Sequence, residues 1–199
     1  MDPQSTDIFE PWLGAGVVAL FGPGAPVSKI NEMCKAKHVS HWSGGGSKRT
    51  PRLYSFAAAV QIHALYQASR AGLAPRIGSG IASKALERIA IRTEEGDALG
   101  EGKAQVSLIF WQDPADRLLC LDMRPEQLGR AYRQSGVPFD SEVENFLRDQ
   151  DMGPVPFSWY TLEVDKLIDA LWRDYLLVTP EFNKKVVEGR IKPLPTTLG

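Results

Sequence analysis

Residues 40 to 56, SHWSGGGSKRTPRLYSF, constrain this chain more than any other stretch. Gly44, Gly45 and Gly46 permit a sharp reversal and close backbone approach. Lys48, Arg49 and Arg52 follow at once, too much charge for a core segment. Pro51 keeps Thr50 out of the helical region. Arg-Leu-Tyr-Ser then fits a short strand ending at Ser55, whose hydroxyl suits the N-cap of a following helix. The stretch reads as a basic hairpin set between helices.

The residues before it predict short helices. PWLGAGVVALF, residues 11 to 21, fits a helix after Pro11, and GPGAP interrupts the chain. VSKINEMCKAKHVSHW follows, and two helix-turn-helix registers fit it. One places a turn at KAK, so that a second helix carries Lys37, His38, Ser40 and His41. The other places the turn at Gly22, so that residues 26 to 34 form the second helix. An unbroken helix from 27 to 43 is a third reading. Ser28 and Lys29 start a short basic helix in both registers.

After Ser55, FAAAVQIHALYQASRAG is rich in strong helix formers, with Ala58, Ile62, Leu65 and Tyr66 as a stripe and Gly72 as the stop. In APRIGSGIASKALERIAIR, Ile77, Ile81, Ala85 and Ile89 recur every fourth residue, while Gly78 and Gly80 weaken the first turns. TEEGDALGEGK, residues 93 to 103, reads as a linker. Beyond it, residues 104 to 112 and RLLCLDM predict a hairpin around the turn DPAD. RPEQLGRAYRQSG predicts a helix closed by Gly136, and PVPFSWYTL an edge strand or turn. VDKLIDALWRDYL is strongly amphipathic, with Val164, Leu167, Ile168, Leu171 and Tyr175 on one face and Trp172 off it. The tail after Pro180 reads as an extended or frayed arm. The expected fold class is α+β: a mainly helical unit at 10–92, a linker at 93–103, a small α+β unit at 104–178 with a hairpin and an amphipathic helix, and a tail at 179–199.

Charge separates these halves. The 199 residues carry a net charge of −1. Residues 1 to 92 hold 11 basic against 5 acidic side chains, a charge of +6, and residues 93 to 199 hold 12 against 19, a charge of −7. A basic half of this kind favours a polyanion partner. No apolar run reaches the roughly 18 residues of a membrane span. The acidic, polar start lacks the pattern of a secretory signal. Cys34 and Cys120 do not make a disulfide framework, so a reducing cytoplasm is expected.

VSHW, then a basic glycine loop, then RLYSF, then two helices split by AGL, resembles the MerR-type winged helix-turn-helix regulators over residues 26 to 90. The resemblance implies a DNA-binding regulator. It implies Lys37, His38, Ser40 and His41 on or near the DNA-facing helix. It implies Lys48, Arg49, Arg52 and Tyr54 in the wing, with Trp42 packed beneath it. The loop after Trp42 is shorter than in that family, no long coiled coil is evident, and no cysteine cluster follows. Lys37, Ser40 and His41 are therefore candidates for base edges, with Lys29 in the other register. Lys35, Lys48, Arg49 and Arg52 are candidates for phosphates. Double-stranded DNA, a second copy of the chain, and a protein partner on the acidic half are the expected partners.

Other chemistry fits poorly. Cys34, His38 and His41 share a face only on one continuous helix and lack a fourth ligand, so no metal is expected. Neither glycine loop matches the phosphate-loop pattern. Asp113, Asp116 and Asp122 suit solvated turns, and Asp165 and Asp169 suit surface pairs with Arg173. His63 reads as packed within a helix. No enzyme and no cofactor is expected. The rival reading is an interaction adaptor or antirepressor that uses the same scaffold without reading DNA.

Overall fold

The computed structural model describes residues 8–45, 50–96, 99–101, 106–112, 118–123 and 160–188. It is a mixed α+β structure with two small antiparallel sheets. The chain divides into two compact units: Met1–Glu101 with Leu167–Gly199, and Gly102–Lys166. That grouping differs from the linear division expected at 93–103, because the C-terminal helices fold with the N-terminal half.

The first unit opens with strand β1 (Leu13–Gly14) and one helical turn, α1 (Ala15–Val18). The helix expected from Pro11 is shorter because Trp12–Gly14 runs along the sheet, where Trp12 N–H donates to the Tyr54 carbonyl at 3.1 Å. Helix α2 (Val27–Lys35) follows the GPGAP break. Strands β2 (Trp42–Ser43) and β3 (Leu53–Tyr54) complete a sheet of order β1-β3-β2. Trp42 and Leu13 both pair with Tyr54 across it.

Helix α3 (Phe56–Arg70) is capped as its sequence dictates. Ser55 Oγ accepts the Ala58 amide at 2.9 Å, and Gly72 takes a φ of 79° beyond the last turn. The single stripe expected on α3 is instead buried on nearly every side from Phe56 to Leu65, so α3 is the centre of the unit. Its alanines make that burial on all faces possible without crowding. Helix α4 (Pro75–Glu94) buries Ile81, Ala85 and Ile89 as its periodicity requires. Gly78 has a packing role here. A Cβ at that position would lie 2.5 Å from Leu65 Cδ1, so the missing side chain lets α4 approach α3.

Two C-terminal helices close the unit. Helix α5 (Val164–Leu176) spans the division, its first three residues grouping with the second unit. Its Asp174 accepts the Gly22 amide at 2.5 Å, and Trp12 Nε1 donates to Tyr175 Oη at 3.0 Å. Trp172 is half-buried, with its ring 5.0 Å from Phe56 and 5.1 Å from Tyr175. The tail expected to be extended begins instead with helix α6 (Pro180–Val187). Asn183 holds it in place: Oδ1 accepts the Gly14 amide at 2.7 Å, and Nδ2 donates to the Trp12 carbonyl at 2.6 Å. One amide side chain thus satisfies a free strand edge that would otherwise be buried unpaired.

The second unit contains β4 (Ser107–Gln112), β5 (Leu118–Met123) and β6 (Tyr160–Leu162) in the order β5-β4-β6. The expected hairpin is present, with Ser107 opposite Met123 and Gln112 opposite Leu118. Residues 160 to 162 form the edge strand, and Leu108, Ile109 and Phe110 on the central strand are buried. Asp165, expected at the surface, is fully buried, because its carboxylate accepts the Val106 amide at 2.7 Å. The helix expected at 124–136 lies outside the described residues, as do the turn aspartates Asp113 and Asp116. Among the described residues, no helix is long and apolar enough to cross a membrane.

Candidate nucleic-acid interface

Helix α2 is short, and only Ile30, Met33 and Cys34 are buried. Val27, Ser28, Lys29, Glu32 and Lys35 face solvent. Helical spacing sorts its outer residues into two flanks. Ser28, Asn31 and Lys35 share one flank, where Asn31 meets Arg52, the residue before β3. Lys29, Glu32 and Ala36 lie on the other side, where they line a cleft of about 170 Å³ with Met33, Leu65 and Leu73. Lys29 Nζ meets the Glu32 carboxylate at 2.8 Å, with both side chains at least half exposed. An exposed pair of this kind contributes little stability.

The structure excludes a helix after KAK, and with it one of the two registers and the unbroken helix from 27 to 43. The helix that follows the Gly22 turn is α2, and it stops at Lys35. Lys37 N–H donates to the Cys34 carbonyl and His38 N–H to the Met33 carbonyl, each at 3.1 Å. Lys37 takes a φ of 59°. These three features make a Schellman cap in which lysine stands where glycine usually sits. Lys37, His38, Ser40 and His41 are therefore not on a helix. The same stop ends the reading of Cys34, His38 and His41 as one helical face. Among the described residues, no group of three His, Cys, Asp or Glu side chains is placed to hold a metal.

Beyond the cap, each candidate has a local position. Lys37 is exposed, and His38 is half-buried at the cleft. Both Ser40 N–H and Oγ donate to Gln61 Oε1, at 2.9 and 2.8 Å. His41 takes a φ of 55°, its ring lies 4.9 Å from Phe9, and its carbonyl accepts the Ser55 amide. This run of contacts carries the chain from α2 into β2. Trp42 is half-buried, and its Nε1 donates to the Val39 carbonyl at 3.1 Å.

Two wing candidates make contacts within the chain. Tyr54 is fully buried, so it does not face a phosphate backbone. Its period-two position on β3 points it inward, against Cys34 of α2. Burial pushes the Tyr54 hydroxyl and the Cys34 thiol above their ordinary pKa values, and Arg52 nearby opposes both shifts. Arg52 is half-buried. Its Nη1 donates to Asn31 Oδ1 at 2.9 Å, and its guanidinium carbon lies 5.4 Å from the Trp42 ring centre. The side chain ties β3 to the middle of α2 over an aromatic face. Lys48 and Arg49, between β2 and β3 in the sequence, lie outside the described residues.

Ser28, Lys29 and Lys35 are thus gathered on one exposed helix, with Arg52 beside it. Asn31 was absent from the sequence candidates. Its signal was faint: a polar residue three positions after Ser28 and four before Lys35, on the flank that meets Arg52.

No protein-family model matches the chain, and no curated protein matches it in sequence.

Proposed function

We propose that this chain is a double-stranded DNA-binding transcription regulator of MerR-like winged helix-turn-helix type. In this reading α1 and α2 form the helix-turn-helix, α2 enters the major groove, and the loop between β2 and β3 forms the wing. Ser28, Lys29 and Lys35 face the duplex from α2. Lys48 and Arg49 hold phosphates from the loop. The single observation that carries the reading is the exposed polar face of α2 beside the antiparallel pair β2 and β3, with a basic sequence between those two strands.

The length of α2 fits the role. Nine residues cover about 13 Å of helix axis, enough to reach a few successive base pairs. The +6 charge of residues 1 to 92 supplies sequence-independent attraction. Operators are commonly paired half-sites, so a homodimer belongs to the same proposal. The test is selection of bound sequences from random duplexes by the purified protein. One recurrent motif supports the proposal, and no enrichment after several rounds contradicts it.

One observation favours the rival reading, an adaptor that binds protein instead of DNA. Leu176 and Leu177, at the end of α5, are 47% and 80% exposed. Exposed leucines suit a protein contact. In that reading duplex affinity stays weak at every salt concentration.

A further inference from the structure

We infer that the cleft between α2, α3 and α4 binds a small uncharged molecule, a single apolar ring that carries one polar group. The site does not depend on the DNA-binding reading.

Three packed helices build the cleft. Met33 of α2, Leu65 of α3 and Gly78 of α4 are buried, and all three line it. A Cβ at Gly78 would lie 2.5 Å from Leu65 Cδ1, so the α3 and α4 walls are in close contact. Leu73 lines the cleft from the turn between them, where its N–H donates to the Ala68 carbonyl at 3.1 Å. Walls of helix and hydrogen-bonded turn make a largely preformed site, as small-molecule sites usually are.

Volume and lining set the class of occupant. The cleft measures about 170 Å³. A cavity of about 150 Å³ is enough to hold benzene. Ala36, Leu73 and Pro75 add apolar surface around the buried floor, which favours an apolar ring. The charged groups do not favour an ion. Lys29 Nζ and the Glu32 carboxylate already meet at 2.8 Å, so their opposite charges largely cancel for an occupant. An anion gains near Lys29 what it loses near Glu32, and a cation the reverse. Either ion also gives up part of its hydration on entering. His38 and Ser69, also at the cleft, carry groups that donate or accept hydrogen bonds. One uncharged polar group on the ring suits them.

The experiment is an NMR titration of the full chain, labelled with ¹⁵N, at neutral pH. The probes are benzyl alcohol, benzoate and benzylamine, which share a ring and differ in charge. Benzyl alcohol should shift the Met33, Leu65, Leu73 and Gly78 amide signals saturably, with a midpoint of about 1 mM. It should bind about fivefold more tightly than either ion. Ala36→Phe and Ser69→Phe change exposed positions and place a ring of the protein's own in the space. Each should weaken benzyl alcohol binding about tenfold and leave the signals of distant residues in place. Shifts that do not saturate, or that centre on other residues of the wild type, overturn the inference whatever the variants do. So does tighter binding of benzoate or benzylamine, or unaltered binding by a folded variant. Shifts at the same amides that follow protein concentration without any probe would assign the cleft to a second copy of the chain, and overturn it as well.

Discussion

Arg92 on α4 meets Asp169 on α5 at 3.0 Å, and neither side chain is more than 7% exposed. The same carboxylate accepts the Gly100 amide at 2.8 Å. The ion pair joins the last turns of α4 to a helix some seventy residues later, and so helps fix the C-terminal helices on the N-terminal unit. A pair this deep gains its strength from surrounding hydrogen bonds, because removing two charges from water is costly.

Removing one partner should be severe. Arg92→Met retains most of the volume but leaves the Asp169 carboxylate without its buried cation. We expect a loss of about 3–5 kcal/mol in urea unfolding. Replacing both residues with apolar side chains should cost less than Arg92→Met alone. A single variant within about 0.5 kcal/mol of wild type would show that the pair contributes little.

His63 makes stability fall in acid. Its ring is fully buried, and Nε2 donates to the Val18 carbonyl at 2.9 Å. Among the described residues Nδ1 has no partner, so a proton there would be a buried and unbonded charge. Burial lowers the pKa from 6.5 to about 4, against smaller opposing effects of the Val18 carbonyl and Asp174. The unfolded chain thus binds the proton first as pH falls. The contribution of neutral His63 is complete above pH 6.5 and is lost progressively toward pH 4. The full loss is about 3 kcal/mol. His63→Gln retains a donor for Val18 and does not titrate. Urea unfolding of both proteins between pH 7.5 and 4.5 should therefore show wild type losing more stability than the variant. Parallel pH profiles would contradict this.

Lys37 holds the left-handed position that ends α2, with a φ of 59°. A side chain there costs about 1–2 kcal/mol relative to its ordinary conformations. Lys37→Gly removes that strain but adds unfolded-state freedom, so a net gain of about 1 kcal/mol is expected. Thermal unfolding checks it. A destabilised variant would mean that the lysine side chain makes a contribution larger than the strain.

The absence of glycine at that cap explains why the register was open in the sequence. KAK has no residue that marks a stop, so periodicity could run on through His38 and His41. Ser55, Gly72 and the spacing of Ile81, Ala85 and Ile89 were legible because each acts through its own backbone or its own helix. The helix at 164–176 was legible for the same reason. What it packs against was not. Arg92 and Asp169 lie 77 positions apart, and Asp165 and Asp169 look like ordinary surface acids until a partner backbone is placed beside them. Asn183 likewise gives no local sign that it will complete the edge of β1. Tyr54 and Arg52 were read as wing contacts from a family pattern. Strand alternation and the neighbouring Asn31 send one inward and engage the other.

The salt dependence of duplex binding decides whether this chain grips a DNA backbone. Fluorescence anisotropy with a labelled duplex would be followed from 50 to 300 mM salt, for wild type and for Lys48→Ala with Arg49→Ala. The logarithm of the wild-type association constant should fall linearly with the logarithm of salt, and the double variant should have a slope shallower by about 1.8. A wild-type protein that binds no duplex at the lowest salt, or two proteins with the same slope, would contradict it.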